Sequence, residues 1–89
     1  MAGGTRINDI KTLMENDRQF LVKMVQARMP FGKYEGREII ALPTHYLEYF
    51  AREGFPSGQL GQYLSTMYEI RTNGLDEILR PIRNEVRKQ

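Results

Sequence analysis

Nine consecutive residues, Met29-Pro30-Phe31-Gly32-Lys33-Tyr34-Glu35-Gly36-Arg37, put two cations and two aromatic rings on one short stretch of chain, with Arg28 just before it. Surfaces that hold nucleic acid combine these residue types: cations meet phosphates and flat rings receive unpaired bases. Lys33 and Arg37, with Arg28 and Tyr34, are therefore the candidate residues for binding an anion. A plainer role exists for each. Phe31 and Tyr34 can anchor the segment to helices while Lys33 and Arg37 solubilise an edge. The anchor role is the better reading of Phe31, and Tyr34 suits either role.

Other chemistry is hard to find. A phosphate loop requires Gly-x4-Gly-Lys-Ser/Thr, whereas Gly32-x3-Gly36-Arg37 is one residue short and runs into Glu38. His45 is the only histidine and there is no cysteine, so His45 with Glu48 falls short of a metal-ligand set. Ser57 has no base near it in sequence and is explained as a helix cap. The acidic residues are scattered, and Asp76-Glu77 fit the first turn of a helix better than an acid–base pair. The expectation is a non-enzymatic protein with no catalytic residues, no metal and no cofactor.

Charge narrows the partner without choosing it. The 89 residues carry 13 Lys+Arg against 11 Asp+Glu, a net charge of only +2. Residues 18–37 nevertheless hold +4 and residues 80–88 hold +3, leaving −5 on the remainder. Solvated helix faces are the plain explanation, and Arg18, Lys23 and Arg28, five apart, ring a helix rather than line it. The same asymmetry also makes a local field that attracts anions. Nine of the cations are arginines, which pair equally with phosphate and carboxylate. Nucleic acid and an acidic protein surface both remain open as partners. A second use of the chain, as a protein–protein adaptor, rests on Phe55 in the loop Gly54-Phe55-Pro56-Ser57-Gly58 or on the C-terminal helix.

The elements that must position these residues follow from periodicity. Apolar residues from Ile10 to Val25 keep helical spacing, with a break at Asn16-Asp17. A weak helix is expected before Asn16 and a firmer one over 18–27, capped by Asp17. Pro30 stops it. Gly32 and Gly36 then suggest a tight reversal between extended arms, a β-hairpin resting on the helices. Leu42-Pro43 opens a helix with Tyr46, Leu47 and Phe50 inside, Glu48 paired to Arg52 outside, and Gly54 at its end. Ser57 caps the next helix, which runs to Thr72 and closes at Asn73-Gly74-Leu75 in a Schellman stop. The last helix starts near Leu75 and kinks or restarts at Pro81.

The expected fold is α+β and helix-dominated, with four or five short helices around one small hairpin. Residues 1–16 form a partly disordered or weakly helical extension, and residues 17–89 a single domain. The expected core is Phe20, Met24, Phe31, Ile39, Leu47, Phe50, Leu60, Leu64, Met67, Ile78 and Leu79. No run of residues is apolar enough to span a membrane, and the N-terminus lacks the order of a secretory signal. Cytoplasmic residence is the simplest fit, while the oligomeric state has no signature.

The segment Met29 to Arg37 resembles the MPFGKYxGR signature of a family of small uncharacterised bacterial proteins described as "putative quorum-sensing-regulated virulence factors". The likeness continues through Leu42-Pro43, Tyr46-Leu47, Gly54-Phe55-Pro56, Leu60-Gly61, Tyr68-Glu69-Ile70 and Asn73-Gly74-Leu75, about Asp17 to Ile82. Tyr49 stands where the family often has Trp, and Ser57-Gly58-Gln59 lacks a basic residue often found there. A related module is similar to one at the C-terminus of exonuclease X-type DNA exonucleases. By analogy alone, that second likeness implies an association with nucleic acid.

Overall fold

Residues 18–87 are described by the computed structural model. The expected N-terminal extension, the weak helix before Asn16 and the Asp17 cap lie outside these residues, as does Lys88. The first helix, α1 (Arg18–Gln26), buries Leu21, Met24 and Val25, a spacing of three and four that puts all three on one face. Met29 continues this apolar contact beyond the helix end and is fully buried.

No hairpin follows, and the expected α+β fold is corrected to an all-helical one: among the described residues there are four α-helices and no β-strand. Only one antiparallel bridge forms among them, between Arg28 and Glu38. Around it the Met29 N–H donates to the Arg37 carbonyl at 2.8 Å, and the Gly36 N–H donates to the Met29 carbonyl at 2.7 Å. Between those anchors the chain coils in consecutive turns, with Glu35 N–H on the Gly32 carbonyl (3.2 Å) and Arg37 N–H on the Tyr34 carbonyl (3.0 Å). The physical reason lies in both arms. Pro30 has no N–H to offer a ladder. Ile39–Ala41 on the other side winds into a 3-10 turn instead of extending. The glycines do supply the reversal, with φ of 78° at Gly32 and 87° at Gly36.

Helix α2 (Thr44–Glu53) begins immediately after Pro43, whose carbonyl accepts from the Leu47 N–H, and ends where the Gly54 N–H reaches the Phe50 carbonyl at 2.7 Å. Helix α3 (Gly58–Thr72) buries Gly61, Leu64, Met67 and Ile70. Ser57 sits at its N-cap position, yet the hydroxyl makes no capping bond, so the expected side-chain cap is absent. At the other end the Schellman stop forms as the sequence suggests. Leu75 N–H donates to the Ile70 carbonyl at 2.9 Å and Gly74 N–H to the Arg71 carbonyl at 3.2 Å, with Gly74 at φ 68°. The chain restarts through a 3-10 turn (Asp76–Leu79) directly into α4 (Arg80–Arg87), which places Pro81 in a first turn where its missing N–H costs little.

Helix α2 packs on α3 and α1 packs on α4. An exposed ion pair between Arg18 and Glu85 ties the second pair together. Met24, Ile39, Leu47, Phe50, Leu64, Met67 and Leu79 lie in the core as expected, joined by Leu21, Val25, Met29, Leu42, Ile70 and Ile82. Phe20, Leu60 and Ile78 pack only at its margin. Phe31 is the clear correction. It is 45% exposed, because Met29, two residues earlier, already fills the place under the turns.

Arg71, in the last turn of α3, supplies a fastening that periodicity does not reveal. Its guanidinium donates to the Ile40 carbonyl (2.9 Å), the Leu42 carbonyl (2.8 Å) and the Thr44 hydroxyl (3.2 Å), while Nε bonds Asp76 at 2.9 Å. One side chain thereby satisfies two part-buried carbonyls in the connection leading into α2 and holds the start of the final segment.

Candidate functional site

The turns of 29–37 lie against α2 through aromatic rings. Tyr34 meets Tyr46 edge-on at 4.7 Å between centroids, Tyr46 meets Phe50 at 5.1 Å, and Phe50 meets Tyr49 at 5.3 Å. Tyr46, Tyr49 and Phe50 come from two successive turns of one helix, so the row follows from their spacing. Gly32 completes the fit, since a Cβ there would stand 3.2 Å from the Tyr46 hydroxyl. Burial, and then the neighbouring phenols of Tyr34 and Tyr49, push the Tyr46 pKa above its usual value. Tyr46 therefore stays a neutral phenol throughout the physiological range.

Tyr34 is half-buried, settled between the two roles the sequence allows it. Lys33 Nζ stands 5.5 Å from its ring centroid and the Arg37 guanidinium carbon 5.4 Å, both within cation–π range. Neither cation makes an ion pair among the described residues, and both are exposed. Arg28 is partly committed elsewhere, with one guanidinium nitrogen on the Gly36 carbonyl at 2.8 Å, bracing the turns.

Beside this row lies an open groove of about 380 Å³, lined by Lys33, Tyr34, His45, Tyr46, Glu48, Tyr49 and Arg52. The volume falls within the range of small-ligand sites. Tyr49 is 47% exposed, which makes it one of two large apolar side chains open to solvent among the described residues, the other being Phe31. The expected pair of Glu48 with Arg52 does not form, and Arg52 keeps no carboxylate partner among the described residues. The groove thus presents an accessible ring, one carboxylate, Glu48, and two cations that form no ion pair among the described residues. Among the described residues no cluster of three or more His, Cys, Asp or Glu is arranged to hold a metal.

Sequence reasoning singles out Lys33, Tyr34 and Arg37, which the structure does gather, and passes over Tyr49 and Arg52. Their one signal is helical: positions 45, 49 and 52 share a face that the inward residues Leu47 and Phe50 leave to solvent. Arg28 is not gathered with Lys33 and Arg37. It lines a different recess, with Arg83 and Arg87. Phe55 is half-buried, its ring 6.1 Å from Tyr68 and packed at the margin of the core.

Residues 17–82 match the family described as "Putative quorum-sensing-regulated virulence factor". The chain belongs to that family. A relative described as "Uncharacterized protein YpeB", from Escherichia coli strain K12, is 40% identical over 68 residues, covering 75% of this chain and 94% of its own length. Its counterpart in Escherichia coli O157:H7 matches to the same extent. No solved structure matches the chain. The likeness to the exonuclease X-type module is not shown by these comparisons. The family match extends over both the turns of 29–37 and the whole of α2, so the groove is made entirely of family residues. Among the described residues, no helix is long and apolar enough to cross a membrane.

Proposed function

We propose that this protein is a binding module without a reacting centre, and that it engages single-stranded nucleic acid across the groove between the 29–37 turns and α2. The observation that carries the proposal is the exposed Tyr49 ring, in a groove where Lys33 and Arg52 outnumber the single carboxylate, Glu48, and neither cation forms an ion pair among the described residues. An unpaired base gains about 1–3 kcal/mol by stacking on such a ring, and every base has a face to offer. Lys33, Arg37 and Arg52 would meet the phosphates, releasing condensed counterions. A purely acidic protein partner makes use of the cations but leaves the ring without a role, which is why the nucleic acid is favoured here.

Fluorescence anisotropy with labelled single-stranded oligonucleotides over a salt series tests this. Binding should weaken steeply with salt. Lys33→Glu with Arg37→Glu should weaken it further and flatten the slope by about 0.7 for each phosphate that is no longer neutralised. Absence of binding at low salt would overturn the proposal. So would equal binding by poly-glutamate, which shares the charge and lacks the bases.

A further inference from the structure

A second recess, of about 210 Å³, lies against the bridge between Arg28 and Glu38 and has an opposite character: no rings and three guanidinium groups. Arg28 comes from the first basic segment, Arg83 and Arg87 from one face of α4, and all three line it with Glu38. The two basic segments of the sequence, 18–37 and 80–88, therefore converge here although they lie far apart along the chain. Spacing of four along α4 stacks Arg83 and Arg87 on one face, and the packing of α4 on α1 brings that face to Arg28.

Like charges are gathered at a cost, and here internal partners do little to offset it. Arg83 and Arg87 have no ion pair or side-chain hydrogen bond among the described residues. Arg83 is half-buried, so its charge is partly withdrawn from water. Asp76 borders a small neighbouring recess with Arg83, but its carboxylate is held by Arg71 at 2.9 Å. Glu38 lines the recess and forms no ion pair among the described residues. Three cations against one carboxylate leave two positive charges uncompensated in a space smaller than drug-sized ligands occupy.

We propose that the Arg28–Arg83–Arg87 recess is a binding site for a dianionic phosphate monoester group. The charge of such a group, about −1.5 to −2 at neutral pH, matches the surplus. Its three terminal oxygens offer more acceptor sites than a carboxylate's two, enough for forks from Arg83 and Arg87 and for the Arg28 nitrogens that the Gly36 carbonyl leaves free. Val25, Ile40 and Val86 form the apolar part of the wall, where water is less able to screen the contacts. The site is separate from the aromatic groove and does not rest on the nucleic-acid reading of that groove.

The test is a titration of the full chain with inorganic phosphate at constant ionic strength, followed by NMR of the arginine side-chain N–H signals and backbone amides. Saturable shifts are expected at Arg83, Arg87 and the Arg28–Glu38 bridge. Arg83→Gln with Arg87→Gln should weaken binding by about tenfold or more, and Glu38→Gln should tighten it severalfold by removing the one repulsive charge. Dimethyl phosphate, a monoanionic diester, should bind clearly less well. Shifts that do not saturate, a double variant that binds as wild type does, or equal binding of dimethyl phosphate would each overturn the site. Comparing oligonucleotides with and without a 5′-phosphate identifies the source. An increment from the 5′-phosphate that vanishes in the double variant assigns the group to a chain end, and phosphate binding without that increment assigns it to a small molecule. Lys33→Glu separates the two proposals, because it should weaken oligonucleotide binding in the groove and leave phosphate titration unchanged.

Discussion

Replacing Gly61 with alanine would set two well-understood effects against each other. Gly61 lies inside α3, where alanine is favoured over glycine by about 0.8–1.0 kcal/mol. A Cβ at this position, however, would stand 1.7 Å from the Pro56 carbonyl oxygen and 2.9 Å from its carbon. Reaching an ordinary contact requires a displacement of roughly 1.5 Å. The obstacle is backbone, and it belongs to the loop whose Phe55 ring packs near Tyr68. Overpacking of this sort costs about 1–3 kcal/mol, and a carbonyl has less freedom to yield than a side-chain tip. With the clash at the upper end of that range and alanine's gain set against it, a net loss of about 2 kcal/mol is expected, which for a domain of this size lowers Tm by roughly 10 °C. Urea denaturation should show the midpoint fall with its slope unchanged. Gly58→Ala is the control: its φ is 80° and nothing lies within 4 Å of the added carbon, so backbone strain alone should cost about 1–2 kcal/mol. A Gly61→Ala protein as stable as wild type would refute the reasoning, because the loop would then have moved at a cost no greater than alanine's gain of about 1 kcal/mol.

Two further outcomes follow from the fold. Arg71→Met strips the Ile40 and Leu42 carbonyls of their donor and should cost about 2–4 kcal/mol in thermal unfolding, with faster hydrogen exchange at Ala41 and Leu42; a loss under about 0.5 kcal/mol would contradict the clamp. The raised Tyr46 pKa means the folded state holds its phenolic proton more tightly than the unfolded chain does, so this contribution is intact below about pH 10, the unfolded value, and is lost as pH climbs through the folded one. Urea titrations from about pH 9 to about pH 11.5 should show declining stability, less steeply in Tyr46→Phe, and an identical decline in both proteins would contradict the burial of that ring.

The features legible in the sequence are those decided within a few residues. Asn73-Gly74-Leu75 announces its stop because the two defining hydrogen bonds span only one turn. Gly54 likewise closes α2 where the apolar period ends. The 29–37 segment misleads because Pro30, Gly32 and Gly36 suit a hairpin and a series of turns equally well. What separates them is the number of cross-strand pairs, and that depends on whether Ile39–Ala41 extends or coils on the core. The same competition decides Phe31, which the expected hairpin assigns to the interior as its anchor although Met29 takes that position. Arg71 and the convergence of Arg28 with Arg83 and Arg87 are products of packing between distant elements, to which local periodicity is blind. Tyr49 is visible in the sequence only as a residue on the outer face of its helix; that this face borders a groove depends on where the 29–37 turns settle.

The central claim is that the exposed Tyr49 ring, set among cations that form no ion pair among the described residues, receives a base. Titration with an oligothymidine while following the Tyr49 ring resonances measures this directly. Stacking should move those signals upfield in a saturable manner, with Tyr49→Phe retaining affinity and Tyr49→Ala losing about five- to tenfold or more. Oligonucleotide binding that leaves the Tyr49 ring unshifted, or that is equally strong in Tyr49→Ala, would contradict the claim.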